Sequence, residues 1–158
     1  MSHWIILPVL LPGLVAAVLM LTMRFHPVLQ RVFSMASTII TLVIAAGLAY
    51  ATADGTIFLY QLGNWTAPFG IVLVADRLAA LFVLLTCVLA VPVLLYAIGS
   101  GWDQRGQHFH PLFQFQLMGI LGAFLTGDAF NLFVFFEILL IASYGLIIHS
   151  GGARRFRV

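Results

Sequence analysis

Residues 128–149, DAFNLFVFFEILLIASYGLIIH, hold the chemistry of this chain in a single carboxylate, Glu137. Between Ala129 and Ile148 the ionisable side chains are Glu137 and Tyr144 alone. These 20 residues would rise roughly 30 Å as a helix, about the thickness of a bilayer hydrocarbon core. Glu137 lies eight residues past Ala129, which puts it roughly 12 Å deep, close to the midplane. A carboxylate at that depth costs about 2.5–3.5 kcal/mol on insertion scales, a cost a merely spanning helix would avoid with Leu. Its default role is on an ion or proton pathway, facing protein or water rather than lipid, and a structural hydrogen bond between helices is the plainer alternative. Asp128 follows Gly127 and precedes the apolar run, so it reads as an N-cap accepting from the free N–H of Phe130 or Asn131. Asp128, Asn131, Tyr144 and His149 are the candidate supporting groups.

Whatever positions Glu137 must itself sit in a membrane. Of the 158 residues, 63% are hydrophobic and 8% charged, and the mean hydropathy is +1.12, which makes an all-α integral membrane protein the expected class. The charges are seven Arg, four Asp and one Glu, with no Lys. A net charge of +2 from Arg residues scattered in loops does not suit a nucleic-acid partner. Cys87 stands alone in an apolar run, so no internal disulfide forms, and packing is its expected role. No phosphate-cradling Gly-rich motif and no Cys cluster is present, so no nucleotide or redox cofactor and no metal is expected. The start of the chain is not basic and its first apolar run is long enough to remain in the membrane, unlike a cleavable signal.

Five membrane helices are expected, at about residues 4–23, 32–53, 76–98, 111–126 and 129–148, in one transmembrane domain. Pro8 and Pro12 fall in the first and Trp4 suits an interfacial anchor. In the second, Ser34, Ser37, Thr38 and Thr41 can return hydrogen bonds to their own backbone and so need not mark a polar path. Residues 56–62 and 69–74 are strand-like around a Gly63-Asn64 turn, which predicts a short β-hairpin between helices 2 and 3, with Tyr60 and Trp65 at headgroup level. Pro92 predicts a bend in the third helix. The loop holding Trp102, Asp103, Arg105, His108 and His110 reads as solvated. Two His at this spacing lack the third ligand a metal needs, and they could instead collect protons near neutral pH. Gly119, Ala123 and Gly127 recur every four residues with Gly122 beside them, a small-residue face that predicts close approach of the fifth helix.

With five spans, Arg24, Arg31, Arg105, Arg154, Arg155 and Arg157 fall on one side and Arg77 on the other. That asymmetry predicts an N-terminus outside and a cytoplasmic C-terminus. Every Arg lies near a predicted boundary, so the chain offers Glu137 no cation at its own depth.

Residues 124–146, FLTGDAFNLFVFFEILLIASYGL, closely resemble the proton-channel core of the D-type subunit of the Mrp-type (multisubunit) monovalent cation/proton antiporters. Gly63-Asn64-Trp65, Pro68-Phe69-Gly70-Ile71 and Asp76-Arg77-Leu78 extend the resemblance over nearly the whole chain, and the run from Thr126 to Phe133 favours the D-type over the A-type subunit. The same superfamily includes the antiporter-like proton-pumping subunits of respiratory NADH:quinone oxidoreductase. The resemblance implies a proton relay at mid-membrane in which the glutamate of the Phe-Phe-Glu motif, here Glu137, works with a lysine on a later helix. It also implies partner subunits in a hetero-oligomeric complex exchanging protons for Na⁺ or K⁺, and transport rather than enzymatic catalysis. The chain departs from the pattern in ending at Val158, after about the first third of a family member, in having no Lys, and in placing Leu121 where relatives often carry Asn. The alternatives are a proton-pumping subunit of a quinone oxidoreductase and a truncated, non-transporting membrane scaffold.

Overall fold

The computed structural model describes residues 2–22, 25–65 and 70–149. Arg24, Arg154, Arg155 and Arg157, which weigh heavily in the expected orientation, and Pro68 and Phe69 of the family motif lie outside the described residues. Among the described residues there are five α-helices: α1 (Leu7–Leu21), α2 (Pro27–Ala51), α3 (Arg77–Gly99), α4 (Phe109–Leu125) and α5 (Ala129–Ile148). By length and composition α2, α3 and α5 are able to cross a membrane, while α1 and α4 are shorter apolar helices of 15 and 17 residues. Large apolar side chains such as Leu10, Val43, Leu89, Val93, Phe133 and Ile141 point outward, the surface of an integral membrane protein.

The starts of these helices follow local chemistry. Proline lies in the first turn of α1 and α2, where its missing N–H would have had no partner. Asp76 caps α3, its carboxylate accepting from the Ala79 N–H at 2.7 Å. Pro12 and Pro92 sit inside α1 and α3. Between α2 and α3 the chain makes an antiparallel hairpin of β1 (Phe58–Gln61) and β2 (Val72–Ala75), with Phe58 opposite Ala75 and Gln61 opposite Val72. Gly63 and Asn64 both adopt positive φ, 66° and 59°, which Gly and Asn tolerate best. The second strand starts at Val72, three residues beyond the expected start at 69.

α4 is the central helix, touched by each of the other four. Leu117, Leu121 and Leu125 are buried along it, and one core joins Leu121 and Leu125 to Ile5, Val9, Ala45, Val83 and Phe135. A second cluster around Ala90, Leu94, Phe109, Phe113 and Leu117 packs the opposite end of α3 and α4. Not every glycine serves packing. A Cβ placed on Gly47, inside α2, meets nothing within 4 Å. Gly47→Ala is therefore expected to raise the stability of the purified chain by about 0.5–1 kcal/mol, read from its thermal unfolding in detergent. A loss of stability would mean that this face of α2 is covered.

Candidate functional site on helix α5

α5 is held at its start by Asp128, whose carboxylate accepts from the Asn131 N–H at 2.7 Å and, through its other oxygen, from the Asn131 side-chain amide. Burial pushes the Asp128 carboxyl upward, and the hydrogen bonds from Asn131 outweigh it and hold the group below the usual carboxylate range. Asn131 is itself buried. The Gly127 N–H donates to the Val72 carbonyl at 2.7 Å and Thr126 bridges to Leu73, so the α4–α5 turn is joined to the hairpin.

One face of α5 lies against α4. Phe135 and Ala142 are buried there, and a Cβ on Gly119 would lie 2.9 Å from the backbone nitrogen of Leu139. A Cβ on Gly122 would collide with the Phe135 ring, and one on Gly145 would lie 2.7 Å from a methyl of Leu112. Gly119 and Gly122 are thus the glycines of α4 that meet α5, and the expected four-residue repeat is corrected at Gly127. α4 ends at Leu125 and Thr126 turns to extended backbone, so Gly127 leaves the helical register and packs on Val72 and Val74. Ala123 lines the same cavity as Ala79 and Phe82 of α3.

Glu137 is on the other face. It is exposed on the described bundle, together with Phe133, Val134, Leu140, Ile141 and Tyr144. Tyr144 follows Glu137 by seven residues, two turns, so the two share this face. Among the described residues the Glu137 side chain has neither a hydrogen bond nor an ion pair, and no Arg lies at its depth. The structure does not gather the sequence candidates into one cluster. Asp128 and Asn131 cap the start of α5, while His149 ends it, twelve residues or roughly 18 Å beyond Glu137. The His149 ring is within hydrogen-bond distance of the Leu146 carbonyl (2.7 Å) and the Trp102 carbonyl (3.3 Å).

Two polar groupings escaped the sequence reading. Gln114, fully buried in α4, donates to the Ser34 carbonyl, the Ser34 hydroxyl and the Thr38 hydroxyl at 3.0–3.1 Å, and accepts from the Ser37 hydroxyl at 3.0 Å. Thr38 and Thr41 return hydrogen bonds to their own helix as expected, but Ser34 and Ser37 also face a partner. The signal was the glutamine in an apolar helix and the polar residues 34, 37, 38 and 41 on one face of another.

The second grouping lies at the end of the bundle where α2 and α4 begin. Asp103, in a short 3-10 turn (Trp102–Arg105), is not solvated but 5% exposed. It accepts from Arg31 Nε at 2.5 Å and Nη2 at 2.9 Å, and His110, 3% exposed, lies 3.2 Å from it. A buried carboxylate needs such partners, and Arg31 of α2 supplies a cation. Burial pushes the Asp103 carboxyl up, and the hydrogen bonds from Arg31 and His110 together hold it below the usual range. The contribution of this cluster to stability is therefore present above the ordinary carboxylate range and lost as the pH falls below that range through the lowered folded-state value. Among the described residues no group of three or more His, Cys, Asp or Glu is placed to hold a metal ion.

No protein-family model matches the chain. Curated proteins do. The D-type subunit of a probable K(+)/H(+) antiporter of Rhizobium meliloti is 48% identical, over 99% of this chain and 30% of its own length. The D-type subunit of the Na(+)/H(+) antiporter of Alkalihalophilus pseudofirmus is 44% identical over 99% of this chain and 32% of its own length, and that of Bacillus subtilis 45% identical over 96% and 31%. Among solved structures, a chain of the Mrp complex from Dietzia sp. superposes with a TM-score of 0.87 at 30% identity, over 94% of this chain and 28% of its own. A chain of the membrane-bound sulfane sulfur reductase, an archaeal respiratory membrane complex, superposes with a TM-score of 0.81 at 27% identity, over 99% and 32%. The chain thus spans about a third of the length of the curated relatives it matches. In sequence and in fold, it corresponds along nearly its whole length to the N-terminal part of the D-type subunit of the Mrp-type cation/proton antiporters.

Proposed function

We propose that this chain forms the N-terminal part of one subunit of a monovalent cation/proton antiporter, as a single transmembrane domain in which Glu137 carries the proton. One observation carries this reading: Glu137 stands at the middle of α5 on the face turned away from α4, in a stripe of exposed apolar side chains. An unpaired carboxylate among apolar groups at that depth is stable only where another element or water covers it. Relatives about three times as long have more chain with which to do so. Asp128 and Asn131 support the site by fixing the start of α5, while Tyr144 flanks it and His149 anchors the far end. The cation is Na⁺ or K⁺, and other antiporter subunits in a bacterial inner-membrane complex are the partners. The test is cation/proton exchange in vesicles holding the assembled antiporter with and without Glu137→Gln, and an unchanged rate in the variant would remove Glu137 from the mechanism.

The orientation follows the same reading. Arg31, Asp103, Arg105 and His149 lie towards one end of the bundle and Arg77 towards the other. The Arg-rich end is the cytoplasmic one. Reporter fusions after Asp54 and after Val158 are expected to report opposite sides, the former outside. Same-side signals would refute five crossings.

A further inference from the structure

At the Arg-rich end, a cavity of about 620 Å³ is lined by Phe25, Gln30, Asp103, Gln104, Arg105 and His110, among others. His110 is the buried member of this wall. Its Nε2 faces Asp103 Oδ2 at 3.2 Å, and its Nδ1 is a buried polar atom with no hydrogen-bond partner among the described residues. That pairing fixes the tautomer. Asp103, held ionised by two contacts from Arg31, can only accept, so neutral His110 must carry its proton on Nε2 and donate it there. The lone pair then sits on Nδ1, buried and without a donor. Leaving such a nitrogen buried and unpaired is costly in a purely structural histidine.

We infer that His110 is a proton-binding site separate from Glu137, taking a proton from cavity water onto Nδ1 while Asp103 holds Nε2. The step is a simple transfer: hydronium gives its proton to the Nδ1 lone pair, leaving water and an imidazolium ion-paired with Asp103. Among the described residues the charged groups facing the ring are few. The 3-10 turn contributes Asp103, which favours the imidazolium, and α2 contributes Arg31, which opposes it through the oxygen they share, Oδ2. Arg105 is turned over the Trp102 ring at 4.4 Å, and His149 packs from α5 against Phe109 and Trp102. The described parts of α1 and α3 bring no charge near it. Protonation makes Arg31 and His110 rival cations on one carboxylate, so it loosens the tie between α2 and the α3–α4 turn. The helical path inward from His110 leads to Gln114 one turn on and to the hydroxyls of α2 beyond it, so the proton site stands at the head of a buried polar file.

The inference does not depend on the antiporter reading, because its readout is the imidazole itself. The pH dependence of hydrogen–deuterium exchange at the His110 ring C2, measured on the 158-residue chain in nanodiscs, gives the titration directly. His110 is expected to titrate, with its curve about one unit or more lower in Asp103→Asn and higher in Arg31→Gln. These shifts have opposite signs, which general loosening of the fold would not produce. Glu137→Gln should leave the curve where it was. A His110 that does not titrate, or one whose curve moves the same way in both variants, would overturn the site. If Asp103→Asn fails to fold, an unmoved curve in Arg31→Gln decides against it alone.

Discussion

Glu137→Gln in the assembled antiporter is expected to lower cation/proton exchange at least about 100-fold, the lower end of what removal of a positioned proton carrier costs. Glutamine keeps the length and shape of the side chain and can still hydrogen-bond, but it has no proton to release. The structure makes the experiment clean. Glu137 points away from α4, and its side chain has no hydrogen bond or ion pair among the described residues, so the substitution leaves Leu139 and Phe135 in place on Gly119 and Gly122. Substitutions at such positions usually move stability within about 0.5 kcal/mol. Assembly should therefore be normal, and loss of exchange in a normally assembled complex reports on the proton step. Exchange at the ordinary rate would sink the idea that Glu137 is the carrier. Exchange lost together with assembly would point instead to a structural hydrogen bond.

Gly119→Leu is expected to destabilise the chain by at least about 1–3 kcal/mol. A Cβ at Gly119 would lie 2.9 Å from the backbone nitrogen of Leu139 and 3.1 Å from its Cα. Backbone cannot swing aside as a side-chain tip can, so α5 must move away from α4 along its whole length. Membrane helices associate largely through such close contact, since lipid tails are as apolar as the side chains they replace. Thermal unfolding in detergent and yield from membranes should both fall. Ala123→Leu, at the α3 side of the same helix, should perturb the bundle without parting α4 from α5, and Gly47→Ala gives a glycine substitution with no clash at all. Equal tolerance of Gly119→Leu and Gly47→Ala would show that α4 and α5 do not touch closely in the membrane.

Local signals carried the reading of elements. The lengths of apolar runs marked the helices, Gly63-Asn64 marked the hairpin turn, and the Gly127-Asp128 step marked the cap of α5 because capping is settled within three residues. Contacts between distant segments were not legible. Gln114 meets residues 76 to 80 positions earlier, and Arg31 meets Asp103 across 72 positions, so neither pattern exists in any short window. Asp103 and His110 read as solvated loop residues because polarity is all that a loop shows in sequence, and burial there depends on which helix end packs nearby. The small-residue face was visible, but not its partition: Gly119 and Gly122 serve α5, whereas Gly127 serves the hairpin. For Glu137 the sequence showed its depth, and the face it occupies needed the packing of Phe135 and Leu139.

The ties at the two ends of α5 turn that helix into a beam clamped at both supports. The first clamp is the Asp128 cap with the Gly127–Val72 hydrogen bond, and the second is His149 seated between Trp102 and Gly106. A clamped beam neither slides nor spins about its axis; its one soft motion is a slight bow, greatest at midspan. Glu137 sits at that midspan. Its carboxylate can swing on its own rotamers and drift with the bow, but the helix cannot ferry it from one side of the membrane to the other. On the proposed reading, distance is then covered by handing the proton on, from one stationary group to the next, and not by moving the group that holds it.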